Sequence, residues 1–189
     1  AKTYADQVIE WLCEEGYDTC FFLAGGNNMH LLNSVRTRMR CIPVVHEVAA
    51  GIATEYYNAT RPAGAGRAFA LVTAGPGVTK IVPAIAGAYL ESRELLVVAG
   101  QVKSSDLSDH SIRQRGIQEV DACALTAPVT KATMQIREPV TRDSLLKVVR
   151  TSAEARQGPA FIDFCLDAQA ASPVGEATAR TVARTESVD

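Results

Sequence analysis

Glu47 is the residue whose type and place most suggest chemistry. It follows a β-favouring run, Cys41-Ile42-Pro43-Val44-Val45, and opens a stretch, residues 48–57, that reads as helix. A carboxylate at a strand-to-helix corner stands where open parallel α/β sheets bind ligands. The helix face behind it is small and apolar enough to keep water away. A carboxyl group in such surroundings can have its proton affinity tuned for catalysis. The ordinary alternative is helix capping, because acids favour helix N-termini. The neighbouring segments shift the balance toward chemistry.

Three other strand-like runs end in unusual residues: Ala24-Gly25-Gly26, Thr73-Ala74-Gly75-Pro76-Gly77 and Gly100-Gln101. In a parallel sheet these ends lie along one rim with Glu47. Glycines there let backbone approach a ligand closely and expose helix N-terminal amides. The expectation is one shallow site with Glu47 as its only obvious carboxylate. The bland reading of the same glycines is tight strand-helix turns and nothing more. Other motifs fall away. His46-Glu47-Val48-Ala49-Ala50 begins like a zinc-protease H-E-x-x-H, but Ala50 takes the second histidine position. Gly75-Pro76-Gly77-Val78-Thr79-Lys80 has Lys80 at the third glycine position of a dinucleotide fingerprint and the wrong spacing for a Walker A loop. His30, His46 and His110 lack zinc-ligand spacing to one another or to the five scattered cysteines, so no metal site is expected in this chain.

The elements that must position these residues follow from periodicity and punctuation. Residues 3–15 read as an amphipathic helix, capped by Thr3 and ended by Gly16; residues 29–38, 144–156 and the stretch after Glu47 to about 59 also read as helices. A further helix runs from the Gly75-Pro76-Gly77 turn to about Tyr89, and a short one is expected over residues 117–125. Strands are expected over residues 19–23, 41–45, 68–73, 95–99, 129–136 and 160–166, and the polar stretch 103–116 should wrap the surface. Repeated strand-helix alternation argues for a three-layer α/β/α domain, a mostly parallel central sheet of about six strands covered by helices on both faces.

A chain of 189 residues is enough for one substantial core, and 47% hydrophobic content is that of an ordinary globular protein. A net charge of −2 gives no nucleic-acid footprint and no strong membrane attraction. The start shows no signal-peptide pattern and no apolar stretch is long enough to span a bilayer. Free cysteines without C-x-x-C pairs suit a reducing cytoplasm. From Ala171 the composition loses its large apolar residues, so 1–170 reads as the domain and 171–189 as a linker or tail toward a further domain.

Taken in order, these segments resemble the N-terminal, pyrimidine-binding (PYR) domain of thiamine diphosphate-dependent enzymes of the acetolactate synthase type, from about Tyr4 to Gln169. Residues 21–30 look like the family's first strand and glycine turn. Val45-His46-Glu47-Val48-Ala49-Ala50 resembles the segment carrying its catalytic glutamate. Thr73-Ala74-Gly75-Pro76-Gly77-Val78-Thr79 is close to T-S-G-P-G-x-T, and Gly100-Gln101-Val102 matches G-Q-V. Gln118-Glu119-Val120-Asp121, Val129-Thr130-Lys131 and Gly158-Pro159-Ala160-Phe161-Ile162-Asp163 are similar to Q-E-x-D, T-K and G-P-V-x-I-D segments.

The resemblance implies that Glu47 hydrogen-bonds the N1′ ring nitrogen of the cofactor's aminopyrimidine and so promotes removal of the thiazolium C2 proton. The activated cofactor then attacks a small 2-keto acid, which decarboxylates and can add to a second carbonyl. That role suits a glutamate whose proton affinity is raised by burial. By position, Ala24, Gly25 and Pro76 would lie beside the cofactor and Gln118 near the substrate approach, while Lys80 stands where the family commonly has an asparagine close to the pyrimidine. The family holds Mg2+ and the diphosphate on a separate PP domain with a G-D-G motif. No Gly-Asp-Gly occurs here, so this chain is expected to be a partial enzyme. It is expected to work with a PP domain of the same longer protein or of another subunit, as a homodimer or tetramer. Two other readings stay open: a nucleotide-binding, Rossmann-like oxidoreductase domain, and a non-catalytic regulatory module with the same fold.

Overall fold

The computed structural model describes residues 1–109 and 111–175. Six strands form one all-parallel sheet in the order β2-β1-β3-β4-β6-β5. The strands are β1 (Tyr17–Phe22), β2 (Arg40–Pro43), β3 (Arg67–Val72), β4 (Leu95–Gln101), β5 (Ala132–Ile136) and β6 (Pro159–Cys165). The helices are α1 (Tyr4–Glu14), α2 (Met29–Val35), α3 (Glu47–Thr60), α4 (Pro76–Leu90), α5 (Ala122–Thr126), α6 (Arg142–Thr151) and α7 (Leu166–Ala170). This is the three-layer α/β/α architecture expected from the alternation.

The two faces of the sheet are written in the strand sequences. Along β4, Leu96 and Val98 enter one core with α1, α2, α6 and α7, while Leu95, Val97 and Ala99 enter the other with α3, α4 and α5. β4 and β6 are buried along their whole length, which is why both read as near-continuous apolar runs, broken only by Asp163 in β6 and by the terminal Gln101 of β4. Each fully buried Leu, Ile or Phe contributes about 1.5–3 kcal/mol. α1 starts as its sequence dictates: Thr3 accepts a hydrogen bond from the Asp6 amide, and the Asp6 carboxylate accepts one from the Thr3 amide.

Strand order reverses direction at β1. The chain steps from β1 to β2 on one side, then returns to place β3 on the other. Such a switch point opens a crevice at the carboxyl ends of the strands.

The structure departs from expectation in several places: the helix expected over 29–38 ends at Val35, the strand expected over 41–45 ends at Pro43, and the strand expected over 129–136 begins at Ala132. Of residues 117–125, only those from 122 onward join a helix, α5 (Ala122–Thr126); Gln118 has φ 61°, which ends any helical path, and Asp121 caps the short helix that follows. The expected helix 144–156 stops at Thr151. Leu166 opens α7 rather than closing β6. Of the expected tail, residues up to Gly175 are described, and they are tied to α1. The Tyr4 amide donates to the Ala171 carbonyl at 2.7 Å, and Gln7 exchanges two hydrogen bonds of 2.9 Å with the Val174 backbone. Residues 176–189 lie outside the described residues.

Candidate functional site

Glu47 is the first residue of α3 and is 3% exposed. It does not cap its helix. That role falls to His46, whose Nδ1 accepts from the Val48 amide at 3.2 Å. The buried Oε2 of Glu47 has no hydrogen-bond partner, and no ion pair or hydrogen bond among the described residues reaches its carboxylate. A buried carboxylate oxygen without a partner is costly, and groups kept in such a state point to function.

What surrounds it comes from the glycine turns. A β-carbon on Gly77 would lie 3.8 Å from Glu47 Oε1 and 3.2 Å from Thr73 Cγ2; one on Gly25 would collide with Thr73 at 2.6 Å. Thr73, at the end of β3, therefore touches both the β1 turn and the start of α4, and α4 in turn abuts Glu47. These contacts link the ends of β1 and β3 to the start of α3 along one rim.

The β1 turn is held from below. Asn28, buried, accepts from the Gly25 amide at 3.0 Å and donates to the Leu23 carbonyl at 3.0 Å. Gln169 on α7 donates to the Asn27 carbonyl at 2.7 Å and to the Phe164 carbonyl at 2.8 Å. Gly100 makes room for the turn, since a β-carbon there would sit 2.0 Å from the Asn27 carbonyl oxygen.

The expected site residues are distributed as follows. Glu47 and Gly25 lie within the chain of contacts through Thr73 and Gly77. Ala24 is exposed beside Gly25, and both line a cavity of about 470 Å³ with Met29, Leu32, Asn33 and Arg36. Pro76 is exposed at the first position of α4, where its missing N–H costs nothing. Gln118 is exposed, with its backbone packed on Gly75. Lys80 is exposed one turn further along α4, and no hydrogen bond or ion pair among the described residues involves it. Asn28 and Gln169 support the rim as well as Thr73, which the Thr73-Ala74-Gly75-Pro76-Gly77 segment already contains; for Gln169 the signal in the sequence is a lone amide between alanines.

Below the rim lies a second buried carboxylate. Asp163 on β6 accepts from Gln101 at 3.1 Å and Gln135 at 2.9 Å, and burial pushes its carboxyl up to about 6 against those hydrogen bonds. Burial also pushes the nearby Cys123 thiol far up and Cys165 up to about 12, so neither is a reactive thiolate. At the opposite rim Glu94, buried, pairs with Arg67 and Arg61. Among the described residues, no group of three or more His, Cys, Asp or Glu could hold a metal, and no helix is long and apolar enough to cross a membrane.

Residues 2–125 match the family model described as thiamine pyrophosphate enzyme, N-terminal TPP binding domain. The acetolactate synthase large subunit of Lactococcus lactis subsp. lactis is 33% identical over 164 residues, which are 85% of this chain and 27% of that protein. The acetolactate synthase large subunit of Corynebacterium glutamicum is 31% identical over 171 residues, 88% of this chain and 26% of that protein. The acetolactate synthase isozyme 1 large subunit of Escherichia coli is 28% identical over 174 residues, 89% of this chain and 29% of that protein. The chain thus spans less than a third of the length of these curated relatives.

Proposed function

This chain belongs to the family of thiamine pyrophosphate enzyme N-terminal, TPP-binding domains, and from that premise we propose that it is the pyrimidine-binding half of a thiamine diphosphate-dependent 2-keto acid decarboxylase or carboligase of the acetolactate synthase kind. The observation that carries this is Glu47: a buried carboxylate with an unpartnered oxygen, relieved of capping by His46, at the rim where two glycine turns converge. Such an oxygen fits the ring nitrogen of an aminopyrimidine, a flat partner that can share a proton with it. Gly77 leaves space beside the Glu47 carboxylate at Oε1, and Gly25 lets the β1 turn close on Thr73 next to it. When bound, thiamine diphosphate supplies the thiazolium nucleophile and the electron sink for decarboxylation.

Within this reading each residue has its own work. Glu47 holds or releases a proton at the pyrimidine ring nitrogen. Ala24, Gly25 and Pro76 pack beside the ring, and Gln118 stands at the substrate approach. Lys80 is a candidate contact from the outer side of α4, where it is exposed. The diphosphate and its Mg2+ would be held by a separate domain, of the same longer protein or of another subunit. Exposed apolar side chains near the site suit such a neighbour: Val45, immediately before the Glu47 corner, is 97% exposed, and Ile52 and Tyr56 further along α3 are exposed as well. A homodimer or tetramer would cover them. Five free cysteines fit a cytoplasmic enzyme.

The rival readings are weaker. Gly75 and Gly77 make room for Gln118, Thr73 and Glu47, protein atoms rather than a dinucleotide's phosphates. A purely regulatory module has no need of an unpartnered buried acid. The deciding experiment is Glu47→Gln in the complete assembly, with thiamine diphosphate affinity and turnover both measured. Undiminished turnover on a 2-keto acid would remove the proposal.

A further inference from the structure

Gln118 has φ 61° without being glycine. That backbone conformation is disfavoured for an L residue and persists only where the surroundings over-determine it. Two clamps flank it. On one side the Glu119 carboxylate accepts from the backbone amides of Ser108, of Arg115 at 2.8 Å and of Gly116 at 3.1 Å. Partial burial pushes the Glu119 carboxyl up, but these three amides outweigh it and hold the group below its ordinary value. It therefore stays a carboxylate, the form that can only accept. On the other side Gln101 Nε2 donates to the Val120 carbonyl at 3.1 Å and to Asp163 Oδ2 at 3.1 Å. Its Oε1 accepts from the Val102 amide at 2.9 Å. Fixed at both ends on the sheet, this buried amide has one direction left for its second N–H, and that direction is the strap.

The Gln118 carbonyl then occupies space that only a glycine at position 75 leaves open. We propose that Gln101 and Glu119 are positioning residues: together they lock the strap 115–121 so that Gln118 is held in its left-handed conformation at the edge of the Glu47 rim. The lock itself is a property of this chain. Its consequence, that the Gln118 side chain is presented to the substrate, rests on the function proposed above. Sequence alone places both residues in family-like segments but does not say that one reaches the other's loop from the sheet.

The test separates the lock from its consequence. In this chain, the carbon chemical shifts of Gln118 report its backbone conformation, and amide hydrogen exchange reports the clamps. Glu119→Ala should raise exchange at Arg115 and Gly116 by about tenfold or more, the scale of losing a charge-assisted hydrogen bond, and should move Gln118 away from the left-handed signature. Glu119→Gln, which keeps the volume and one acceptor oxygen, should restore part of both. Gln101→Met should shift Gln118 while leaving the Arg115 and Gly116 amides protected. Amides of Val97 and Ile162 in the core strands should be unmoved in all three. A Gln118 signature that stays left-handed in Glu119→Ala overturns the lock. That change is on a surface strap, so it decides the matter even where Gln101→Met does not fold. In the assembled enzyme, the clamp variants should raise KM for the 2-keto acid more than they lower kcat. Loss of the signature with an unaltered KM in Gln118→Ala supports the lock and retires the substrate role.

Discussion

Gly75 and Gln118 meet backbone to backbone with both φ angles positive, 57° and 61°, and a β-carbon on Gly75 would come within 2.1 Å of the Gln118 carbonyl oxygen. The turn that starts α4 and the strap that precedes α5 are thus shaped against each other. Neither can relax without moving the other.

Gly75→Ala therefore combines two costs: a disfavoured φ, about 1–2 kcal/mol, and an overlap with backbone that cannot rotate away, about 1–3 kcal/mol. A loss of roughly 2–5 kcal/mol is expected, read as a fall of roughly 4–20 °C in the thermal midpoint. A midpoint within a degree of the parent would mean that the turn and the strap are not in contact.

Glu47→Gln should separate stability from chemistry. Replacing an unpartnered buried carboxylate by a neutral amide of the same shape removes the larger desolvation cost. The variant should be as stable as the parent or more so, by about 0–2 kcal/mol in urea unfolding. Turnover in the assembled enzyme should fall by roughly 10²–10⁴. A clear loss of stability would show instead that Glu47 serves the fold.

Asp163 gives the pH dependence a definite sign. Its carboxyl is raised from 3.8 to about 6 by burial, against the hydrogen bonds from Gln135 and Gln101; Asp121 adds to the rise and Arg137 opposes it. The folded state then holds a proton that the unfolded chain has released. Stability from this group is complete below pH ~4 and is lost as pH rises through ~6, on the order of 3 kcal/mol in total. Asp6 works in the opposite sense: with its carboxyl lowered to about 2, its contribution is present above pH ~4 and lost as pH falls toward ~2. Relative to Asp163→Asn, in which every other carboxylate keeps its surroundings, the parent should thus lose stability between pH ~4 and ~6. Parallel curves for parent and variant over that range would place the titration elsewhere.

Much of this was legible in the sequence for identifiable reasons. The buried strands β4 and β6 are near-continuous apolar runs, and the rim is marked by glycine and proline, whose conformational limits act locally. Thr3 and Gly16 bound α1 by chemistry that needs no tertiary partner. What was not legible depends on contacts between distant segments. The left-handed Gln118 ends the helix expected over 117–125, yet its cause is Gly75, Glu119 and Gln101 acting from three places. That His46 rather than Glu47 caps α3 follows from how the β2-α3 corner is turned, which residue types alone do not fix. Asp163, a lone acid in the run Pro159-Ala160-Phe161-Ile162-Asp163-Phe164-Cys165, was visible as an anomaly; its partners Gln101 and Gln135 became visible only once the strands were in register.

The spacing of α3 and α4 offers a last test, because α3 begins at Glu47 and α4 at Pro76, so their separation sets the width of the site. They approach closely at Gly51: a β-carbon there would lie 2.4 Å from Ala84 Cβ and 3.2 Å from Ile81 Cγ1. Gly51→Ala gains about 1 kcal/mol of helix propensity. Against this stands an overlap with Ala84, whose β-carbon is fixed to the backbone, so the helices must part. Overpacking of that kind costs about 1–3 kcal/mol, and the net expectation is a loss of roughly 0–2 kcal/mol, toward the upper end because Ala84 Cβ cannot rotate away. The exchange can be reversed across the interface. Gly51→Ala combined with Ala84→Gly moves the methyl group from one helix to the other and keeps the propensity sum unchanged, so stability should return to within about 1 kcal/mol of the parent. A double variant as weak as Gly51→Ala alone would show that the two helices do not pack through this pair.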